Sequence, residues 1–528
     1  NSGGVYRATG GTTTITDESS NYAVWIGDSS TFSANGGTIN IITQDETYLY
    51  IRNSASFYDL ILDTSANFYF ANNIVVANDL NVTSGTIMTV TGTYTKTVTG
   101  DVIINGGQLG RAAESGARSF GSLTINSGGT YYATSGTTTL TNESGSGFAY
   151  IRNGGTYTHN SGTMKVTTPT VTILYDASGS GNLYNLIVNT STDNTILWRK
   201  SGYIIDNDLT INSGIFGAFD GNDDLTVTGD VDVIGTLLGA TSEMSMGSLI
   251  INSGGNYSAT SGTTTINSSL SNAGTYTHNS GTTTFNNDTV AQITGNTTFY
   301  SLNTNSAVFN SSDDNITIAS GGTLTQNGNI TAFVLNILGT MATGAGEKVT
   351  FDDSPQAGFE GTGALNIAGS SGNLANITNA GTTEWTMPHP TLNSTWDYVA
   401  VSYGNNTGTE AIIVYEGADE GNNVDDGEWI FSFAAAPANC SFAANTTLTA
   451  NLTCSKLDVL AAATVVTDTY SINATSDAEV NGTLNASLGG GQWFGSMTIN
   501  SGGTHEATSG TTTVNAGVIN NAGTFTHN

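Results

Sequence analysis

At 528 residues the chain is too long for one ordinary globular core, and 37% hydrophobic residues with only 10% charged is not the signature of disorder. The net charge of −31 comes from having just 11 Lys and Arg, which excludes a phosphate-binding surface and so a nucleic-acid partner. No apolar run approaches the roughly 18 residues of a membrane-spanning segment.

The opening stretch 1–16, NSGGVYRATGGTTTIT, returns as NSGGTYYATSGTTTLT at 126–141, NSGGNYSATSGTTTIN at 252–267 and NSGGTHEATSGTTTVN at 500–515. The starts differ by about 125, 126 and 248 residues, so a long repeat underlies the chain. Tyr6, Tyr131, Tyr257 and His505 share one position, and Ala8, Ala133, Ala259 and Ala507 lie two further on. Between them Arg7, Tyr132, Ser258 and Glu506 vary freely. Thr13, Thr138, Thr264 and Thr512 precede Ile15, Leu140, Ile266 and Val514 in the same way. A constrained set alternating with a free one is the period of a β-strand with one buried face. The inward set therefore includes Leu123, Ile125, Tyr131, Ala133, Leu140, Leu249, Ile251, Tyr257 and Ile266. Asn-Ser-Gly-Gly and Ser-Gly supply the corners, where glycine takes positive φ without a Cβ clash.

Residues 1–125 form a first long repeat and 126–251 run parallel to it: FAYIRN at 148–153 echoes YLYIRN at 48–53, and VTGDV occurs at 98 and 227. A third copy starts at 252 and diverges toward 351. A shorter step runs inside each copy, about 26 residues from Gly128 to Gly154 and about 19–20 near Gly254 and Gly502. Short strands, tight corners and a short period predict an all-β, parallel and right-handed β-solenoid with rungs of about 19–26 residues. Some twenty coils rising roughly 4.8 Å each would make a rod on the order of 100 Å long. Three segments are expected: a solenoid block at 1–351, a divergent β segment at 352–433 holding three of the six Trp and a cluster of acid, and a second solenoid block at 434–528. Large aromatics such as Trp385, Trp396 and Trp429 suit the closing of an open stack or an interface. The chain starts and stops within repeats and has no initiator Met or leader, which reads as a processed product or a piece of something larger.

The motifs NSGGTY, LTVTGDV and NGTLNAS, followed by NNVDDGEWIF, resemble the large repeat-built surface proteins of uncultured bacteria and archaea. That group is similar to right-handed parallel β-helix adhesins and to appendage proteins, including archaeal grappling-hook filaments. The resemblance implies an extracellular, cell-surface location and a structural or adhesive role.

Parallel β-helices can also be polysaccharide lyases or glycoside hydrolases, which need a carboxylate cluster with a positioned acid or base. Asp223 with Asp224, Asp313 with Asp314 and Asp352 with Asp353 lack a nearby Lys or Arg suited to proton abstraction, so they read as solvated turn acids and no catalytic residue is assigned. The group Glu416, Asp419, Glu420, Asp425, Asp426 and Glu428 offers the several oxygens a structural calcium wants, although the Asp-x-Asp-x-Asp-Gly loop is missing; no other cofactor is called for. His159, His278 and His527 recur as Tyr/Phe-Thr-His-Asn, tens of ångströms apart, and read as corner histidines bonded to nearby backbone or Asn; His389 and His505 carry no signal. Cys440 and Cys454 either pair across neighbouring strands or remain two buried thiols. Sequons number about twenty, with Asn81, Asn256, Asn296, Asn315, Asn393, Asn405, Asn451 and Asn481 the glycan candidates if they face outward.

The expectation is a non-enzymatic structural subunit of a self-assembling filament, appendage or sheath with a surface-attachment role, its partner being further copies of itself. The first alternative is an adhesin that binds glycans or partner cells through outward Tyr50, Tyr132, Trp25 and Trp198, and the second is a β-helix polysaccharide-degrading enzyme.

Overall fold

The computed structural model describes residues 4–527 except 18–20, 28–30, 52–55, 142–149, 168–171, 177–178, 192–194, 200–201, 219–222, 288, 306–307, 388–395, 408–411, 416, 421–422, 424–428, 433–439, 449–450, 489, 509–510 and 516–518. Strands stack in parallel into a β-solenoid of about 19 turns, each of roughly 21 residues, with no helix among the described residues. The chain divides into two compact units, Asn1–Gly322 and Thr323–Asn528.

In the first unit each coil contributes to three ladders. Met244–Ile251 pairs backward with Leu225–Val233 and forward with both Thr263–Ile266 and Leu270–Asn272. The third ladder runs through Thr236–Leu238, Asn256–Ser258 and Thr275–Thr277. The steps read from sequence are the ladder steps: Tyr131 sits on Tyr157 and Tyr257 on Tyr276, as does His505 on Phe525 in the second unit.

The period of two decides what is buried. Thr137–Leu140 and Thr263–Ile266 each alternate half-exposed with buried side chains. All nine inward residues named from the sequence are buried, while Tyr132 and Ser258 between them stay partly exposed. The constrained threonine has its own reason. Tyr131 and Tyr257 reach Thr138 and Thr264 with their hydroxyls, at 3.1 and 2.8 Å, and Tyr276 reaches Thr283 at 2.6 Å. A buried phenol is thereby satisfied within its own coil. Tyr6, on the strand Val5–Arg7, is 48% exposed and reaches Thr13 at 3.5 Å.

The glycine of His-Asn-Ser-Gly is set by the neighbouring coil, whereas Gly128 and Gly254 of Asn-Ser-Gly-Gly meet nothing and are set by positive φ. A Cβ on Gly162 would run into the Thr134 carbonyl, and one on Gly281 into that of Thr260, so no other residue fits where these corners nest.

In the second unit the stretch that diverges in sequence continues the same pairing. Gly358–Glu360, Trp385–Met387 and Gly404–Asn406 follow one another in parallel, as do Ala364–Ala368, Trp396–Asp397 and Ile412–Tyr415. Trp385 and Trp396 are therefore not at an open end: both have strands on either side and are 0% and 1% exposed. Trp385 packs on Phe351 and Phe359 and donates its indole N–H to the Ser402 carbonyl at 2.9 Å. The Trp429 side chain lies outside the described residues. From Cys440 onward the strands form two further ladders around a core of Leu457, Val465, Ile472, Phe494 and Met497.

Placing a carboxylate in the column at Tyr131 should cost several kcal/mol, whereas the outward neighbour tolerates one. Urea denaturation of Tyr131→Asp should show a strong loss of stability and Ser258→Asp a change within about 0.5 kcal/mol. Equal losses in the two variants would contradict the inward assignment.

Candidate functional site

One inward pair is seen three times in different chemistry. The residue eight before the first Asn of each repeat motif faces the ring position five after it: Arg118 with Tyr131, Met244 with Tyr257, Gln492 with His505. The Arg118 guanidinium lies 5.0 Å from the Tyr131 ring centroid, the Tyr257 hydroxyl is 3.7 Å from the Met244 sulfur, and His505 Nε2 is 3.0 Å from Gln492 Oε1. Each pair is complementary, as a site that cannot reach water requires.

The Arg118 version gathers two further charges. Lys96 Nζ and Arg118 Nη2 both donate to Glu114 Oε2, at 2.6 and 2.8 Å, and all three residues are 1–2% exposed. Glu114 Oε1 accepts the Thr89 amide at 2.9 Å, and Arg118 Nη1 donates to the Tyr132 carbonyl at 2.5 Å. Burial, with the Arg118 charge second, pushes the Lys96 ammonium down to about 7. Burial alone would raise the Glu114 carboxyl, but Lys96 and then Arg118 override it and hold it below the usual range. Burial would lower Arg118, and Tyr131 and Glu114 reverse that. Sequence reasoning missed this triad, although Lys96 and Arg118 fall on the inward phase of Lys96–Ile104 and Arg118–Ile125 beside Val98 and Phe120.

His505, dismissed from the sequence, is fully buried, and burial lowers its imidazole to about 4. It stands where the sister coils carry Tyr131 and Tyr257. Two of the corner histidines behave as expected: His159 Nδ1 accepts the Ser161 amide at 2.9 Å and His278 Nδ1 that of Ser280 at 3.0 Å, while His527 is exposed. Asn160, Ser161, Asn279 and Ser280 all carry positive φ, so the ring holds a left-handed turn in place. His159 also lies 3.3 Å from Asp206 and stacks on Tyr184.

The acid pairs bind backbone. Asp224 accepts the Glu243 amide at 2.9 Å, Asp314 that of Gly295 at 2.7 Å, and Asp353 those of Thr382 and Thr383 at 3.2 and 2.9 Å. Hydrogen bonds from Thr383 hold the Asp353 carboxyl below its ordinary value. Of the calcium group, Glu420 is exposed; Glu416, Asp425, Asp426, Glu428 and the side chain of Asp419 lie outside the described residues.

Cys440 is half-buried and Cys454 buried, and both are free thiols. They share a hydrogen bond, and burial followed by that contact pushes the Cys454 thiol well up. They are not register partners: Cys440 pairs with Leu457 and Cys454 with Ala474. Among the glycan candidates, Asn256, Asn296 and Asn451 are exposed and Asn81, Asn315, Asn405 and Asn481 partly so; Asn393 lies outside the described residues. Asn81 also begins an amide ladder, accepting from Asn105 at 2.8 Å, which accepts from Asn126 at 2.6 Å.

Of the aromatics expected outward, Tyr50 and Tyr132 are partly exposed and the Trp25 side chain lies outside the described residues. Trp198 is not outward. It is 0% exposed, packs 4.8 Å from Phe216 and donates to the Asp223 carbonyl at 2.8 Å, because Ile196 and Trp198 take the inward phase of Thr195–Arg199.

No protein-family model, curated protein or solved structure matches the chain. Among the described residues no helix is long and apolar enough to cross a membrane.

Two substitutions separate the roles in the triad. Glu114→Gln leaves two buried cations without their counter-charge and should cost about 3–5 kcal/mol. Lys96→Met keeps the Arg118–Glu114 pair and removes a buried ammonium, so it should be neutral or stabilising in chemical denaturation. The reverse order would contradict the assignment of Glu114 as the hub.

The unfolded His505 takes a proton near its ordinary 6.5, the folded one only near 4. Its contribution is therefore whole above about 6.5 and is lost as pH falls to about 4, a change of about 3 kcal/mol. Melting curves of the parent chain and His505→Tyr between pH 7 and pH 4 should diverge, with the parent falling faster. Parallel curves would show that His505 takes up its proton as readily in the folded state as in the unfolded one.

Proposed function

We propose that the chain is a structural segment of an extracellular, self-assembling surface appendage, filament or sheath that also serves attachment. The observation that carries this reading is the parallel coil-on-coil pairing, repeated over about 19 turns. Backbone hydrogen bonds run along the stacking direction, so load on one coil is passed to the next through many parallel bonds. Buried columns such as Tyr131 on Tyr157 and Tyr257 on Tyr276 to Phe299 add packing along the same line.

Composition supports an outside location. Two cysteines and 11 basic residues leave little for oxidation or for anionic polymers to act on, and the seven described sequon asparagines named above all reach solvent. A long stacked array of threonine, serine and asparagine is durable without a cofactor.

Immunogold electron microscopy of the source cells, with antibody raised against this chain, tests the proposal. Gold should decorate fibres or a coat outside the cell envelope. Label confined to the cytoplasm, or spread over soluble secreted material with no fibre, would overturn it.

A further inference from the structure

The second unit carries an outward tryptophan that its repeat does not require. Trp493 lies seven residues before Asn500, and the same place in the sister repeats is held by Ser119, seven before Asn126, and Ser245, seven before Asn252. All three stand on the outward phase beside an inward residue, Phe120, Met246 or Phe494, which is 0–1% exposed. The scaffold is content with serine there, so the indole answers to something other than folding.

A second residue changes with it. Two positions earlier the sister repeats have Ala117 and Glu243, whereas this one has Gly491. The far edge of the indole crosses the spot where a Gly491 Cβ would sit, with Cη2 at 2.5 Å and Cζ3 at 2.8 Å from it. Trp493 is thus laid along its strand over bare backbone instead of standing away from the sheet. It remains 43% exposed, among the most exposed large apolar side chains described. The register sets its neighbours: Thr453, Asn473, Trp493 and Thr513 follow one another in one outward column. Each of these neighbours is exposed or half-exposed. An aromatic surface fixed in place and flanked by an amide and a hydroxyl matches the apolar face and equatorial hydroxyls of a sugar ring. Charge selects among sugars: with a net −31 and Asp477 and Glu479 on the strand that pairs with Trp493, an acidic polymer is repelled.

We propose that Trp493, seated on Gly491 and flanked by Asn473 and Thr513, is a binding platform for a pyranose ring of a neutral glycan. The site does not depend on the filament reading. It adds a recognition surface to the second unit that Tyr50, Tyr132 or Trp198 would not supply.

The test is affinity electrophoresis of the full chain in native gels containing galactomannan, xyloglucan, dextran or, as the acidic control, alginate. Asn473 opens the sequon Asn473-Ala474-Thr475 and a glycan there would cover the ring, so the chain is made in a host that adds none. At least one neutral polymer should retard the chain and alginate should not. Trp493→Ser restores the residue of the sister coils, so it should keep the circular dichroism and melting temperature while raising the dissociation constant at least tenfold. Gly491→Ala, which strikes the ring, should weaken binding too. Failure of every neutral polymer to retard the chain, equal binding by Trp493→Ser, or preference for alginate would overturn the proposal. A fall in particle mass by light scattering in Trp493→Ser would overturn it as well, assigning the face to contact between copies.

Discussion

Parallel pairing in register is the constraint from which the rest follows. Each side chain sits roughly 4.8 Å above its counterpart on the coil below, facing the same way. What suits one coil must suit the column. Apolar and aromatic residues gain from this, and so do amides, as in the ladder from Asn81 through Asn105 to Asn126. Charges lose. Asp59, Asp79 and Asp101 occupy one column, and Asp79 is raised first by burial and further by the carboxylates on either side, although the Asp101 amide opposes this. A chain with 10% charged residues and outward threonine and asparagine is the composition such stacking selects.

The interior tolerates departures only in matched sets. Where Tyr131 has Arg118 beside it, the guanidinium is neutralised by Glu114, which also holds Lys96. Where Tyr257 has Met244, sulfur and hydroxyl meet and no charge is needed. Where histidine replaces the tyrosine, Gln492 answers it and also accepts from Thr512 at 3.1 Å, the threonine that elsewhere would bind the phenol. Three coils of one plan thus pair their inward residues by three routes, the polar two leaving Arg118 Nε, Gln492 Nε2 and His505 Nδ1 buried without a hydrogen bond. The same comparison isolates Trp493 and Gly491, which changed together on the outward side, where no packing partner demanded it.

Much of this was legible because the chain holds several copies of its own unit. Those copies separate Tyr131 from Tyr132 and Tyr257 from Ser258 without any structure, and they give the coil length. What stayed hidden depends on contacts between coils. The Lys96–Glu114–Arg118 triad joins residues of different coils, so no single motif displays it. Trp198 sits beside Leu197 in an all-apolar run, where alternation cannot choose a phase. His505 looked incidental because a ring with two nitrogens does not resemble the tyrosine it replaces. The continuation of pairing through Trp385 and Trp396 was obscured because those coils share the geometry of the repeats but not their sequence.

The register itself can be measured directly. Thr265 and Thr284 are partners on the outward face of adjacent coils. Spin labels placed at Thr265→Cys and Thr284→Cys, in a chain carrying Cys440→Ser and Cys454→Ala, report their separation by electron paramagnetic resonance. Stacking in register predicts strong spectral broadening from labels within roughly 10 Å, since the backbones are only one strand spacing apart. A spectrum equal to the sum of the two singly labelled chains would mean that these coils do not lie on one another, and the account would fail at its base.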